Sequence, residues 1–293
     1  MEKMIDWIKL WNELVRAYNA SHSHNKHLDN QDHWRARAQE FDGHVRRRWA
    51  KSDSSRAFIL ARLDAAPNST VLDIGAGTGA WAVLLARHAR CVTAVEPSPA
   101  MLEVLRYNLA AEKIANVEIV EDVWPHAQVG MHDFTLCSHA MYGLPDFGLF
   151  IQSIEAVTRQ MCFLLIRAPT MDGVMAEAAQ RVWGHPYDSP NYQVAFNALL
   201  QMGIFPNVLM EDLGRWTPWV SDSLEDARDQ IKQRLGLRAL SEHDDFLLDL
   251  VRRRLKCMDG VYVWPPAMRT ALVYWQVQAE RGDFPDCLGD STA

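Results

Sequence analysis

The sequence predicts an α/β protein in which a seven-stranded, mostly parallel sheet is flanked by helices. Two observations favour this fold class. From residue 70 onwards, short β-branched runs alternate with helical patterns, which is typical of a parallel sheet with helices on both faces. Directly after the first run, glycines recur as Gly75, Gly77 and Gly79, where a strand would turn into a helix. We also expect an N-terminal helical cap and a helical insertion late in the chain.

The first predicted helix covers residues 4–20. Its apolar side chains, among them Trp7, Trp11 and Leu14, recur at helical spacing. This face is too apolar to stand in water, so it packs either on the body of the protein or on a second subunit. In the second case the N-terminal helices form a homodimer contact.

Two more helices are predicted before the core. One begins with Asp32 as its N-cap and continues through Trp49, and the next follows a cap at Ser52 or Asp53. Four histidines lie around the start of this region, namely His22, His24, His27 and His33. Because no acidic or thiolate ligands accompany them at the usual zinc spacings, we interpret the segment as a polar loop without a metal.

Five strands and three helices are predicted between residues 70 and 168. The strands are at residues 70–74, 91–95, 117–120, 133–137 and 161–166. The helices are at residues 80–88, 100–111 and 147–156. After the second strand, Pro97 and Pro99 break the chain, and Ser98 suits the N-cap of a helix with proline in its first turn.

The last third of the chain combines helical patterns with two further strands. Residues 171–203 are helical with a break near Gly184, a sixth strand covers 205–210, and the last strand covers 269–275. Residues 222–256 contain two amphipathic helices that we interpret as an insertion. We therefore divide the chain into an N-terminal cap (1–60), a core (61–170), a helical substrate or cap region that includes strand six (171–265), and a last strand with a polar tail (266–293).

The composition limits the partners and the compartment. A formal net charge of −7 provides no basic field for nucleic acid or an anionic membrane. Arg46, Arg47 and Arg48 form a local basic run, which we interpret as a solvated helix face. The five cysteines include no C-x-x-C pair, and no apolar stretch approaches the ~20 residues that span a bilayer. We therefore expect a cytoplasmic protein that binds neither nucleic acid nor membrane.

The glycine-rich turn allows two cofactors. Gly75 and Gly77, followed by Ala80, fit the relaxed dinucleotide fingerprint, with Glu96 at about the distance of a ribose contact. Asp73, however, lies two residues before the first glycine. With that acid in place, the pattern of Gly75–Gly79 resembles motif I of class I S-adenosylmethionine (SAM)-dependent methyltransferases.

Two further segments carry this resemblance. Glu96–Leu102, which is Glu-Pro-Ser-Pro-Ala-Met-Leu, is very similar to the second motif of that family. Glu121 and Asp122, after the third strand, match its acid beside the adenine. The resemblance covers about residues 70–168 and implies a Rossmann-like class I methyltransferase fold with SAM as the cofactor.

The resemblance also implies which residues hold the cofactor. The glycine-rich loop would lie beside the amino acid tail, and Glu96 would accept hydrogen bonds from both ribose hydroxyls. Met101 would pack on the adenine, Asp122 would accept from its exocyclic amine, the Val123 N–H would reach a ring nitrogen, and Trp124 would stack on the ring. The complete predicted set is Asp73, Gly75, Ala76, Gly77, Gly79, Glu96, Pro97, Met101, Asp122, Val123, Trp124 and Ser138.

The methyl acceptor is expected beyond the carboxyl end of the fourth strand, because ligands bind there in open α/β sheets. His139 is the candidate general base, since a histidine can take a proton from an attacking O–H or N–H group. Tyr142 is the candidate for positioning the acceptor. The loop lacks the Asn/Asp-Pro-Pro-aromatic sequence of DNA amino-methyltransferases and the Pro-Cys of cytosine C5 enzymes, which disfavours a nucleic-acid acceptor.

Aromatic residues around Gly184 are expected to form a second wall of the acceptor site, namely Trp183, His185, Tyr187 and Tyr192. Trp216 and Trp219 belong either to the same lid or to a dimer contact. Arg167, which follows the fifth strand, either holds a carboxylate or phosphate or forms a surface ion pair.

These observations favour a SAM-dependent methyltransferase that acts on a small molecule. Three alternatives stay open at this point. In the first, the acceptor is a protein or peptide side chain. In the second, the chain binds SAM without catalysis and acts as an interaction protein. In the third, it is an NAD-dependent oxidoreductase. The sequence does not identify the acceptor.

Overall fold

The computed structural model describes residues 5–22, 32, 34–211, 216 and 218–277, with residues 21 and 22 as backbone only. Its first half contains, in chain order, α1 (Trp7–His22), α2 (Ala38–Trp49), α3 (Ser54–Asp64), β1 (Thr70–Ile74), α4 (Ala80–Leu85), β2 (Cys91–Val95), α5 (Pro99–Ala111), β3 (Val117–Val120), β4 (His132–Ser138), α6 (Phe147–Glu155) and β5 (Thr158–Pro169). The second half contains α7 (Val174–Trp183), α8 (Tyr192–Gln201), β6 (Asn207–Met210), β7 (Val220–Ser221), α9 (Leu224–Arg234), α10 (Asp244–Arg254), β8 (Lys256–Met258), β9 (Val261–Val263) and β10 (Met268–Gln276).

The main sheet has seven strands in the order β3-β2-β1-β4-β5-β10-β6. Neighbours from β3 to β5 are parallel, whereas β10 is antiparallel to both β5 and β6. The predicted fold class is therefore confirmed. Because the parallel strands end at the same edge, the residues that follow β1, β2, β4 and β5 meet there.

Two apolar layers cover this sheet, one on each face. In β1, Leu72 and Ile74 point into a cluster with α1, α6 and α8, while Val71 points into a cluster with α3, α4 and α5. The alternation follows from the strand period of two. Strands buried on both faces are expected to be mostly apolar, and in β1 the buried Asp73 interrupts the apolar run of Val71, Leu72 and Ile74.

The apolar face of α1 packs on the body of the protein. Trp11, Leu14 and Val15 are buried, and the Trp11 ring lies 4.6 Å from the ring of Phe147 at the start of α6. This intramolecular packing removes the observation that favoured a homodimer, and the dimer stays a prediction without support.

The second helix begins later than predicted. Asp32 was expected to cap it, but α2 starts at Ala38. Asp32 instead accepts hydrogen bonds from the Ala100 N–H at 2.8 Å and from the Ser98 hydroxyl at 2.8 Å, at the N-terminus of α5. A carboxylate is favourable at a helix N-terminus, so Asp32 fastens the N-terminal segment to the core.

The late helical region has a core of its own. Apolar side chains of α7, α9 and α10, including Val174, Ile231 and Leu247, form a separate buried cluster with Trp264. A small antiparallel sheet in the order β7-β9-β8, which the sequence did not predict, lies within the same region. At the other end of the chain, the predicted domain boundary at residue 60 falls inside α3, whose Ile59 and Leu63 pack on the sheet.

No helix in the described ranges is both long and apolar enough to cross a lipid bilayer. The cytoplasmic location stays a prediction. Of the histidine segment, His24, His27 and His33 lie outside the described residues, as does the polar tail from residue 282.

Candidate functional site

The glycine-rich loop after β1 is held tightly between two neighbouring segments. The N–H groups of Gly75 and Ala76 both donate to the Val95 carbonyl, at 2.8 and 3.0 Å. Gly75 has a φ of +70°, and a Cβ there would lie 2.2 Å from the Cβ of Ala140 in the loop after β4. Only glycine fits this position, because both the backbone conformation and the close approach exclude a side chain.

Glu96, the residue after β2, organises the other side of this loop. Its Oε2 accepts from the Gly77 N–H at 2.9 Å, and its Oε1 accepts from the Ser98 N–H at 2.9 Å. Burial raises its pKa, and these two N–H groups oppose the rise. Each carboxylate oxygen keeps a further lone pair, so the group can still accept from two neighbouring hydroxyls, as predicted for a ribose.

Asp73, near the end of β1, is a buried carboxyl with an unsatisfied oxygen. Burial, and then the negative charge of Glu96, raise its pKa to about 7, although the Ala82 N–H opposes the rise. Its Oδ2 has no hydrogen-bond partner among the described residues. Two acids that share a buried site fit a cationic ligand, which would compensate both charges. SAM, with its sulfonium and ammonium groups, meets that requirement.

The other predicted cofactor residues lie around the same edge, with different surroundings. Met101 is buried in the first turn of α5, and Pro97 is exposed before it. The Val123 N–H donates to Oδ1 of Asp122 at 2.7 Å, so in this structure it is not offered to a ring nitrogen. The adenine contacts of these residues stay predictions.

Trp124 and Ser138 both have structural partners. Trp124 packs in the core and donates its indole N–H to Ser153 at 2.8 Å. This burial favours a packing role over the predicted stacking on adenine. The Ser138 hydroxyl, at the end of β4, accepts from the indole N–H of Trp81 at 3.1 Å.

His139 and Tyr142 form a hydrogen-bonded pair directly after β4. The backbone N–H of Arg167 donates to the Tyr142 hydroxyl at 2.7 Å, and that hydroxyl lies 2.7 Å from Nδ1 of His139. The phenol oxygen accepts from Arg167, and its own proton is used within the pair when it donates to Nδ1 of a neutral imidazole. In that tautomer the imidazole carries its proton on Nε2.

This arrangement argues against the predicted role of His139 as a general base. Burial, together with the charges of Arg48 and Arg167, lowers its pKa to about 3, and burial raises the pKa of Tyr142 to about 12. A base of such low pKa takes a proton poorly near neutral pH. Its Nε2–H suits donation to an acceptor molecule instead. Its φ of +57° is a strained conformation of a kind found at functional sites.

Two cavities adjoin Trp216, the neighbour of His139, although neither His139 nor Tyr142 lines them. The larger, of about 930 Å³, lies between α2, α9 and the residues Trp216, Pro218, Trp219 and Val220, and Phe41, Val45 and Arg48 of α2 line it. The smaller, of about 120 Å³, is lined by Arg167, Gly173 and the segment 264–268. Trp216 and Trp219 line both, which supports their prediction as a lid. The Trp216 ring meets the His139 ring edge-on at 5.6 Å.

The N-terminal cap also reaches the cofactor loop. A Cβ on Gly77 would lie 3.9 Å from Phe41 of α2, so this ring borders the glycine-rich loop. Asn108 of α5 donates to the Asp42 carboxylate at 3.0 Å and to the Thr78 carbonyl at 2.8 Å. The cap, the cofactor loop and α5 are thus joined by one polar network.

The aromatic group around Gly184 forms, but in a different place from the one expected. The His185 ring lies 5.8 Å from that of Trp183 and 5.7 Å from that of Tyr187, and Tyr187 meets Trp7 of α1 at 5.8 Å. None of these residues lines either of the two cavities. They fasten α1 to the body of the protein.

Arg48 is a site residue that the sequence interpretation missed. It was taken as part of a solvated basic run, but it lies beside Trp216 and lowers the pKa of His139. A signal for it exists, because Phe41, Val45 and Arg48 are spaced by four and three residues and share one helix face. Because Arg48 shares its side of the helix with two apolar residues, its side chain is expected to point towards the body of the protein.

Comparisons with known proteins agree with this architecture. Residues 71–161 match the family described as "Methyltransferase domain". A probable ribosomal RNA small subunit methyltransferase A of Methanosphaera stadtmanae is 36% identical over 70 residues, which are 24% of this chain and 26% of the relative. A magnesium-protoporphyrin O-methyltransferase of Rhodobacter capsulatus is 31% identical over 121 residues, 40% of this chain and 54% of the relative. The crystal structure of the YcgJ protein from Bacillus subtilis matches with a TM-score of 0.51 at 13% identity, covering 76% of this chain and 98% of that one.

The chain spans about a quarter to about half of the length of these curated relatives. The resemblance drawn from the motifs is confirmed for residues 71–161, which match a methyltransferase domain. Methyltransferases of this class take their methyl group from SAM, which is therefore the cofactor of this domain. The predicted exclusion of nucleic acid gains no support, because one of the relatives is a ribosomal RNA methyltransferase.

Proposed function

We propose that this chain, whose residues 71–161 match a methyltransferase domain, transfers a methyl group from SAM to a small-molecule acceptor. The observation that supports the acceptor class best is the cavity of about 930 Å³ beside Trp216 and His139. Its volume is that of sites that enclose drug-sized ligands. It lies beyond the carboxyl end of β4, where substrates of open α/β sheets bind.

The residues around the glycine-rich loop fit the cofactor. When bound, SAM supplies an electrophilic methyl group on a positively charged sulfur. Asp73 offers an unpartnered carboxylate oxygen to a cationic group of the ligand, and Glu96 offers its remaining lone pairs to hydroxyls. The tight loop at Gly75 lets the backbone approach the ligand closely.

On the acceptor side, the chain contributes alignment and exclusion of water. Tyr142 fixes the His139 ring through Nδ1, so that the Nε2–H of His139 can orient an oxygen or nitrogen of the acceptor. Trp216 and Phe41 cover this space from two sides. Methyl transfer gains most from holding the reacting atoms in line, so an acceptor that is already nucleophilic needs no strong base.

A macromolecular acceptor is the second candidate for the same chemistry. The magnesium-protoporphyrin enzyme among the relatives acts on a small molecule, whereas the ribosomal RNA enzyme does not. The net charge of −7 and the cavity walled by α2 and α9 favour the small molecule. A protein or peptide acceptor would need an open groove at this place.

Two measurements test the proposal. Calorimetry with SAM and with NAD should show binding of SAM alone, and binding of NAD alone would refute the methyltransferase interpretation. Formation of S-adenosylhomocysteine with a panel of small nucleophiles, proteins and RNA then identifies the acceptor class. A protein that binds SAM but produces no S-adenosylhomocysteine with any panel member would be a binding protein, and turnover with RNA alone would refute the small-molecule acceptor.

A further inference from the structure

Arg167, near the end of β5, has two buried guanidinium nitrogens and no anionic partner among the described residues. Its Cζ lies 4.0 Å from the ring centroid of Tyr142 and 5.6 Å from that of Tyr18. Its Nε and Nη2 atoms are buried and have no hydrogen-bond partner in the described part of the chain. The surface ion pair considered from the sequence is therefore absent among these residues.

The two unsatisfied nitrogens belong to one recognition edge. Nε–H and the adjacent Nη2–H are the parallel donors with which arginine binds a carboxylate or phosphate in a bidentate way. Aromatic rings can stabilise the faces of a guanidinium group, but they leave its in-plane N–H donors unsatisfied. A charged group with two buried, unsatisfied donors is costly for the fold, so its presence favours a role in binding an anion.

A second arginine lies near His139, next to Trp216. Arg48 has its Cζ 5.3 Å from the ring of Trp216, whose ring in turn meets His139 at 5.6 Å. Arg48 lines the larger cavity and Arg167 the smaller one, with Trp216 bordering both. Both arginines lower the pKa of His139 in addition to burial, which is the effect of positive charge close to the ring.

The one acidic side chain that lines the smaller cavity does not cancel this charge. Asp188 has its Oδ2 2.8 Å from Nε of Arg234, so it is already paired. The larger cavity has no Asp or Glu among its described lining residues. The space beside His139 is therefore positively charged, although the chain as a whole is acidic.

We infer that the methyl acceptor is an acid, whose carboxylate or phosphate group binds the Nε–Nη2 edge of Arg167 while Arg48, beside Trp216, also attracts it. This inference rests on the proposed function, because it names the substrate class of that site. Arg167 acts here as a binding and specificity residue. Because the Nε–Nη2 edge of Arg167 is closed to water, we expect the acid to displace neighbouring side-chain atoms as it enters through the smaller cavity.

The test uses simple acids and the full-length chain with S-adenosylhomocysteine present. Benzoate and phenyl phosphate are compared with benzamide by ligand-observed NMR and calorimetry, on wild type, Arg167→Met and Arg181→Met. Arg181 is a matched control, because its guanidinium also lies against a ring, 5.7 Å from that of Phe246, but lines neither cavity. Benzoate against phenyl phosphate separates a carboxylate site from a phosphate site.

We expect at least one acid to bind the wild type and Arg181→Met, and benzamide to bind neither. Arg167→Met should weaken the acid by about 10-fold or more, the loss expected for a charge-assisted bidentate pair. Equal binding of acid and amide, an unchanged affinity in Arg167→Met, or no binding of either acid at millimolar concentration would each overturn the inference. SAM affinity is measured in parallel, so that its absence in the wild type would count against the proposed function and not against the acid site.

Thermal unfolding separates binding from a structural role. Without ligand, Arg167→Met should melt at a higher temperature than the wild type, because a buried unpaired charge is replaced by an apolar side chain of similar length. An arginine that mainly holds the fold together would give the opposite shift. A lower melting temperature together with unchanged acid binding would contradict the inference twice.

Discussion

The buried carboxyl of Asp73 makes the affinity for SAM depend on pH. Its pKa is raised to about 7 by burial and by Glu96, and its Oδ2 is unpartnered. SAM carries a net positive charge near neutral pH, so it favours the ionised carboxylate. We therefore expect SAM binding to tighten as pH rises through 7, with release of a proton from Asp73.

The magnitude follows from the fraction of ionised Asp73. With a pKa of about 7, roughly a tenth of the protein carries the carboxylate at about pH 6 and roughly nine tenths at about pH 8. If the cofactor binds the ionised form alone, its affinity rises about tenfold over this interval. The α-amino group of SAM titrates near pH 8, so the raw profile also contains the ligand's own ionisation.

The assay is calorimetry of SAM binding from about pH 5.5 to 8.5, in buffers of different ionisation enthalpy. Asp73→Asn is the matched control. It keeps the size of the side chain, and its binding profile contains the same ionisation of the SAM amino group as that of the wild type. The ratio of wild-type to Asp73→Asn affinity should rise through pH 7. Glu96→Gln, which removes the neighbouring charge, should move the rise to lower pH.

Stability supplies an independent check with a defined sign. The folded-state pKa of Asp73 lies above the ordinary value of 3.8, so this group favours the fold fully below 3.8 and loses that contribution as pH rises through about 7. At 1.36 kcal/mol for each unit, a shift of roughly three units corresponds to about 4 kcal/mol. The free energy of unfolding should fall more steeply with pH in the wild type than in Asp73→Asn. Parallel profiles in both experiments would refute the raised pKa and its role in binding.

Three further outcomes follow from the geometry of the site and its cap. Gly75→Ala should destabilise the fold by about 1–3 kcal/mol or more in thermal unfolding and abolish SAM binding, because the new Cβ would meet Ala140 at 2.2 Å. Gly43→Ala in α2 is the control: its Cβ would have no contact under 3.6 Å, so this variant should be neutral or stabilising in the same measurement. His139→Asn, in which asparagine tolerates the positive φ, should lower turnover with little change in SAM affinity. Because the pKa of His139 is about 3, the pH profile of kcat for the wild type should show no step near pH 6.5. A step there that vanishes in the variant would restore the general-base role. Trp11→Phe should cost much less than Trp11→Ala, which should cost about 3–5 kcal/mol in denaturant unfolding, because Trp11 is fully buried but its indole N–H has no partner among the described residues; equal costs would contradict this.

The elements of the core could be predicted because their signals are local. β1, β2 and β3 have the predicted bounds, and Asp53 and Ser98 cap their helices as expected. Each of these depends on a run of β-branched residues or on one polar side chain beside a few backbone N–H groups. The small sheet of β7, β8 and β9 escaped prediction, because strands of two or three residues carry too little periodicity.

The functional consequences of single side chains were harder to predict. Asp32 was expected to cap its own helix, but its carboxylate binds the N-terminus of α5, more than 60 residues away in sequence. Arg48 looked like a solvated basic residue but borders Trp216. Trp124, predicted to cover the adenine, donates its indole N–H to Ser153 in the core. In each case the partner belongs to another segment, which the local pattern does not contain.

The sequence by itself determined the sheet, the glycine-rich turn and the acids that point to SAM. These features follow from backbone preferences and from residues within one strand–loop–helix unit, so Asp73, Gly75 and Glu96 were predicted together. The tertiary structure alone decided the state and use of the side chains that meet at the carboxyl edge. Burial and neighbouring charge set the pKa of Asp73 and of His139, and the Arg167 N–H, brought in by β5, binds the Tyr142 hydroxyl that pairs with His139. Desolvation and charge act through space, so they exist only once the strands have been brought side by side.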